Sequence, residues 1–178
     1  MFEPRPLRWP DDRGPLLALD TSFTTERVYR VERTGDSFAL VEARAEPPLR
    51  KSYPLADEID ALAQMDWVRV VEGADGAIVG VAAVRVEKWN RRAVLQHLYV
   101  APHRRGAGVG RALVAEALAE ARRVGARCLW AETQTVNFDA VRFYLSAGFV
   151  WCGLDTSLYD PAEVGEGEVA LFFSRDVS

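Results

Sequence analysis

At 178 residues with 49% hydrophobic content, the chain suits one domain with a genuine core, and a domain of this size buries roughly 70% of its unfolded surface. Its formal net charge of -4 excludes the broad electropositive face that non-specific nucleic-acid binding needs, so any basic patch is local. No apolar run approaches the ~18 residues of a membrane span, and MFEPRPLRWPDDRG lacks a leader's apolar stretch, so the expectation is a soluble, cytoplasmic, single-domain protein over residues 1–178.

In chain order, RPLRWP reads as an edge strand and DDRGPLLALD as a short helix opened by acidic residues. ERVYRVERTGDSFALVEAR reads as two strands joined at Thr34-Gly35-Asp36, with Pro47-Pro48 ending the hairpin. In LADEIDALAQM, Leu55, Ile59 and Leu62 recur at helical spacing. WVRVVE and AIVGVAAVRVEKW are separated by Gly73-Ala74-Asp75-Gly76, and AVLQHLYV follows Asn90-Arg91-Arg92, which predicts three antiparallel strands.

The run RRGAGVGR comes next. From Gly110 a helix carries Leu113, Val114, Ala117, Leu118, Ala121 and Val124 on one face and stops at Gly125. CLWAET is a strand. Asn137 caps the helix FDAVRFYLSA, Asp139 suits its first turn, Gly148 closes it, and Phe138, Val141, Leu145 and Phe149 are expected in the core. The strands FVWCGLDTSLY and EVALFFS are joined by the acidic loop DPAEVGEGE. Cys128 and Cys152 read as buried, reduced thiols, and neither they nor His97 and His103 have metal-ligand spacing, so no metal is expected.

A strand feeding a glycine loop that opens a helix aims several N–H groups and a positive dipole end at one place, which makes an anion site. A P-loop is excluded, because no lysine and hydroxyl pair follows Gly110. A dinucleotide fingerprint starts at Gly106-Ala107-Gly108, and Glu132 imitates its ribose acid. Its third glycine is replaced by Arg111, and three antiparallel strands precede the single strand-helix-strand unit.

Arg105-x-x-Gly108-x-Gly110, preceded by LQHLYV, resembles the Arg/Gln-x-x-Gly-x-Gly/Ala signature of the GCN5-related N-acetyltransferases, and NFDAVRFYLSAGF resembles their asparagine-capped helix with an aromatic-tyrosine pair. That resemblance implies an α/β (α+β) fold, a twisted mixed sheet of about seven strands flanked by helices, with acetyl-CoA as cosubstrate in an opening beside the strand that ends at Val100. It implies that Arg104, Arg105 and Arg111 with the amides around Gly106, Gly108 and Gly110 hold the pyrophosphate. Leu98, Val100, Asn137, Phe143 and Tyr144 complete the cofactor set, with the Val100 N–H as oxyanion donor. Tyr144 would donate a hydrogen bond to the departing thiolate, and Glu132 would take the amine's proton or else serve in an ion pair with an arginine.

PLRKSY, Trp89-Asn90, ETQTVN, GLDTSLY and EVALFF are similar to segments of the streptothricin acetyltransferases, which implies a primary amine on a small molecule as acceptor. The chain departs from the pattern in having only Asp57, Glu58 and Asp60 where a strongly acidic stretch is expected, and Gln96 where an acid is common. Asp57, Glu58, Asp60, Asp155 and Asp160 are candidates to attract a cationic amine, and Trp89, Trp151 and Tyr159 are candidate pocket walls. Two alternatives stand beside this: acetylation of a protein lysine or N-terminus, and a non-catalytic acyl-CoA sensor, which Gln96 would favour. The sheet edges would support a homodimer.

Overall fold

The apolar runs of the middle of the chain become strands because their β-branched residues fit a pleated surface and short polar turns, Gly73 to Gly76 and Asn90-Arg91, reverse the chain between them. The computed structural model describes residues 2–165 and 167–177. Its elements are β1 (Arg5–Pro6), α1 (Arg13–Leu17), β2 (Phe23–Thr34), β3 (Ser37–Lys51), a 3-10 turn (Leu55–Asp57), α2 (Ile59–Ala63), β4 (Trp67–Glu72), β5 (Ile78–Glu87) and β6 (Arg92–Val100). A second 3-10 turn (Pro102–Arg104) then leads to α3 (Val109–Arg123), β7 (Cys128–Gln134), α4 (Phe138–Ser146), β8 (Val150–Asp155), α5 (Pro161–Val164) and β9 (Ala170–Asp176). The mixed sheet has seven strands in the order β1-β4-β5-β6-β7-β9-β8, and β2 and β3 form a separate two-stranded ribbon.

Two compact units are distinguished along the chain. The first holds residues 1–22, 52–130 and 176–178. Within it β4, β5 and β6 form an antiparallel meander, and α3 packs on all three strands. Val70, Val81, Val84, Leu113, Ala117 and Leu129 are fully buried there, and each buried valine or leucine contributes about 1.5–3 kcal/mol. A Cβ on Gly80 would stand 2.7 Å from Val109 Cγ1 and 3.2 Å from Leu113 Cδ1, so the missing side chain lets α3 lie close on β5. β1 is pinned by Arg5, whose guanidinium donates to both Asp12 carboxylate oxygens at 2.7 and 2.8 Å and also to Glu72.

The second unit holds residues 23–51 and 131–175. The ribbon pairs from Phe23 opposite Lys51 to Thr34 opposite Ser37, and β8 pairs antiparallel with β9. The Tyr29 N–H donates to the Thr135 carbonyl at 2.8 Å, and the Tyr29 ring stacks on Phe138 at 5.1 Å. Lys51 of β3 pairs with Glu168, and its ammonium also donates to the Val164 carbonyl at 3.2 Å.

The structure corrects five sequence expectations. Pro47-Pro48 does not end the hairpin: β3 runs on to Lys51, because residues 45–48 bulge opposite Glu26 and a proline there owes no hydrogen bond to the ladder. The single helix expected after Tyr53 is a 3-10 turn followed by the short α2, although Leu55, Ile59 and Leu62 are buried as expected. Leu145 is 43% exposed, and Tyr144 takes the inward position on α4. Cys152 is exposed, while Cys128 is buried, and both are free. The acidic loop contains α5, opened by Pro161 and capped by Asp160, whose side chain accepts from the Ala162 N–H at 2.9 Å; Glu166 of that loop lies outside the described residues.

Candidate active site

β6 delivers the chain to the glycine loop. The Ala101 N–H closes on the Val79 carbonyl at 2.9 Å, and the 3-10 turn is held by the Arg104 N–H on the Ala101 carbonyl, also at 2.9 Å. Gly106 and Gly108 then adopt φ values of +78° and +99°, a region that costs a residue with a side chain roughly 1–2 kcal/mol. Nothing lies within 4 Å of a Cβ built on either, so the loop is open at both glycines.

Gly108 is the N-cap of α3 and offers no side-chain oxygen, and the first intrahelical bond runs from the Ala112 N–H to the Gly108 carbonyl at 3.0 Å. The amides of Val109, Gly110 and Arg111 therefore open the helix at its positive dipole end. Arg111 is exposed in this first turn, and the buried Nε of Arg104 has no hydrogen-bond partner among the described residues. An open glycine loop, an uncapped helix start and an unsatisfied guanidinium N–H together suit a diphosphate. Arg105 donates to the Val100 carbonyl at 3.1 Å and to the Ser22 carbonyl at 2.6 Å, so it ties the loop to the end of β6.

On β6, Val100 stands opposite Gly80, so Val100 and Leu98 face α3, whereas His97 and Tyr99 point to the other face. Gln96 is the extra residue of a bulge, because Ala83 pairs with His97 and Val84 with Leu95. His97 is only 6% exposed; its Nε2 lies 3.7 Å from Glu58 Oε2, and its ring is 6.0 Å from that of Tyr99. Burial holds the His97 imidazole below its ordinary pKa, with Glu58 pulling it up, and burial and then Glu58 push the Tyr99 phenol up to about 12. This cluster was missed in the sequence, where His97 was weighed only as a metal ligand. A polar residue interrupting the apolar run LQHLYV was the available signal.

Asp57 lies in the 3-10 turn beside Glu58, and Asp60 sits 3.8 Å from Arg13. Trp89 is 84% exposed at the β5–β6 turn, about 30 Å of strand away from the Val100 end.

In the second unit, Asn137 caps α4 as expected, its side-chain oxygen accepting from the Ala140 N–H at 3.2 Å. Tyr144 is 6% exposed, edge-on to Phe143 and Phe149 at 5.6 and 5.2 Å and stacked on Phe173 at 5.6 Å. Half-buried Glu132 on β7 accepts a hydrogen bond from the Tyr159 hydroxyl; its partner is thus a tyrosine and not the arginine considered from sequence. Asp155 is occupied locally: its Oδ1 accepts from the Ser157 N–H and hydroxyl, both at 2.8 Å, and the Ser157 N–H keeps the carboxyl below its usual range. The Trp151 indole N–H donates to the Gly153 carbonyl at 2.7 Å.

Comparison with known proteins decides among the readings of the glycine loop. The family model described as acetyltransferase (GNAT) family matches residues 36–149, a span holding both the loop and the capped helix. The chain belongs to the GNAT family. The streptothricin acetyltransferase of Streptomyces lavendulae is 43% identical over 171 residues, 93% of this chain and 90% of that one. The crystal structure of a nourseothricin acetyltransferase superposes with a TM-score of 0.88 at 41% identity, covering 99% of both chains. A Bacillus anthracis Ames structure in complex with acetyl coenzyme A shares the fold at a TM-score of 0.83 and 23% identity, again over 99% of both chains.

As a GNAT member the protein is an acetyl-CoA-dependent N-acetyltransferase, and acetyl-CoA is its cosubstrate. The residues at the start of α3 fit that molecule's diphosphate for the reasons above. No helix among the described residues is long and apolar enough to cross a membrane.

Proposed function

We propose that this GNAT enzyme, acting as a single domain over residues 1–178, transfers the acetyl group directly to a primary amine of a streptothricin-type antibiotic and so confers resistance to it. The observation that carries this reading is the 43% identity to a streptothricin acetyltransferase across 93% of the chain. The segments ETQ and GLDTSLY supply the bonded pair Glu132 and Tyr159, and PLRKSY and EVALFF supply Lys51 and Glu168.

The chemistry begins with a protonation problem, since an alkyl ammonium with a pKa near 10.4 has no lone pair for attack. Glu132 takes that proton, directly or through one water, while the Tyr159 hydroxyl holds its carboxylate. Arg104, Arg111 and the amides after Gly108 hold the diphosphate, and Arg105 keeps their loop in place. Leu98, Phe143 and Asn137 flank the pantetheine arm. The Val100 N–H receives the negative charge that develops on the thioester oxygen. Tyr144 donates a hydrogen bond to the departing thiolate, which with a pKa near 8.5 needs no complete proton transfer from a phenol near 10. Asp57, Glu58 and Asp60 draw the cationic acceptor toward the enzyme.

Two free cysteines accord with a cytoplasmic enzyme, and the exposed Val150 on the edge strand β8 offers an apolar edge for a homodimer. Release of CoA thiol from acetyl-CoA, measured with streptothricin and a panel of lysine-like amines, tests the proposal. Fast turnover confined to streptothricin supports it. Acetyl-CoA binding without turnover of any amine identifies a sensor instead, and turnover of peptides alone identifies a protein acetyltransferase.

A further inference from the structure

We propose that His97 is a recognition residue for the acceptor, its Nδ1 accepting a hydrogen bond from an N–H of the incoming alkyl ammonium while Glu58 faces the same positive charge. The inference rests on the proposed amine acceptor and adds the residues that would distinguish it. An acidic turn alone would not make a site; the buried ring next to it does.

His97 is 94% buried by its 6% exposure, and its Nδ1 has no hydrogen-bond partner among the described residues. A buried polar atom without a partner is costly in a folded protein, so a donor that reaches it, from a ligand or a water, is stabilising. Which ligand follows from the protons. Nε2 is the nitrogen that faces Glu58, 3.7 Å from its carboxylate, and a carboxylate accepts but does not donate. We place the neutral ring's one hydrogen on Nε2, where the carboxylate's negative charge favours it, which leaves Nδ1 an acceptor. An acceptor nitrogen on a ring whose other nitrogen faces a carboxylate disfavours phosphates and carboxylates and takes an N–H donor, best a cationic one.

The contact to Glu58 is an ion-pair distance, too long for a hydrogen bond, so the carboxylate's lone pairs are not committed to the ring, and its side chain is 62% exposed and open to solvent. Tyr99, two residues along on the same face of β6, keeps its hydroxyl proton and presents a flat ring beside the imidazole. His97 lies three residues before Val100, about 10 Å along the strand from the end that leads into the glycine loop. An alkyl amine of lysine's length spans that distance in part, so a second amine of a polycationic acceptor also fits the description.

Two measurements test this. In the first, the 15N resonances of the imidazole are followed while streptothricin or lysine amide is added; the chain has only two histidines, so His103→Gln assigns His97 directly. A shift of His97 Nδ1 with either amine supports the proposal, and no shift with both at saturation overturns it, whatever the wild type's turnover. A wild type that binds amine at His97 yet turns none over sinks the proposed function and leaves the site standing.

In the second, His97→Leu is expected to raise the acceptor KM about 10- to 100-fold, with kcat within about threefold and the acetyl-CoA KM unchanged. His97→Asn, which returns an acceptor oxygen near the Nδ1 position, should recover most of that loss. A fall in kcat with the acceptor KM unchanged overturns the assignment. Should His97→Leu fail to fold, the 15N titration of the wild type decides alone.

Discussion

Tyr144 is both a core residue and the proposed thiolate partner, and the two roles separate by substitution. Tyr144→Phe keeps the ring between Phe149 and Phe173 and removes only the hydroxyl, so stability should change by less than about 1 kcal/mol while kcat falls about 10- to 100-fold without vanishing. Thermal melting and CoA release on the same preparation check both halves. His97 gives a pH signature. Its folded pKa lies below the ordinary 6.5, so the unfolded chain takes up a proton first; stability is complete above that pH and falls as the pH drops toward the folded value. Asp12, held low mainly by its hydrogen bond from Arg5, adds a second loss that begins below about pH 4. Urea unfolding near pH 7.5, 5.5 and 3.5 should show both losses, and His97→Gln should remove the first. At this scale the sequence was only partly readable. Asn137 as a cap follows from local chemistry, but whether Trp89 or Leu145 is covered depends on what packs over it, which no local pattern records.

Glycines in and beside the loop act on α3 in two different ways. Gly108 has open space where a side chain would go and needs freedom only because its φ is +99°, whereas Gly80 has an ordinary backbone and needs emptiness because Val109 and Leu113 crowd it. Gly108→Ala should therefore cost about 1–2 kcal/mol and raise the acetyl-CoA KM by turning the first amides of α3. Gly80→Ala should cost about 1–3 kcal/mol by overpacking, with a smaller effect on acetyl-CoA. Urea midpoints and acetyl-CoA titrations of the two variants distinguish them; equal effects on the cosubstrate would remove the loop's proposed role. α3 and α4 were legible because each has a helical period and a glycine after its end, and the meander because turn residues separate its apolar runs. α5 was not, since four residues carry no period, and the course of β3 past its prolines depends on a bulge that only the partner strand reveals.

Across the whole molecule, four of the five segments that marked the resemblance are bonded in pairs: ETQ to GLDTSLY through Glu132 and Tyr159, and PLRKSY to EVALFF through Lys51 and Glu168. Recognising the segments in the sequence required no knowledge of these pairs, and the pairs could not have been read from it, because partners so far apart along the chain share no local pattern. The second pair also carries a stability test. Glu168 is only 4% exposed at its side chain, and its carboxylate is tolerated there because Lys51 meets it. Lys51→Met strands that carboxylate and should cost about 3–5 kcal/mol, whereas Lys51→Met with Glu168→Leu replaces both charges by apolar groups and should recover most of the loss. Equilibrium urea unfolding of the single and double variants measures the coupling. If the double variant is as unstable as the single, the fold depends on the ion pair itself; if it recovers while acceptor KM rises, the pair's service is to hold the end of β3 in the shape that the acceptor needs.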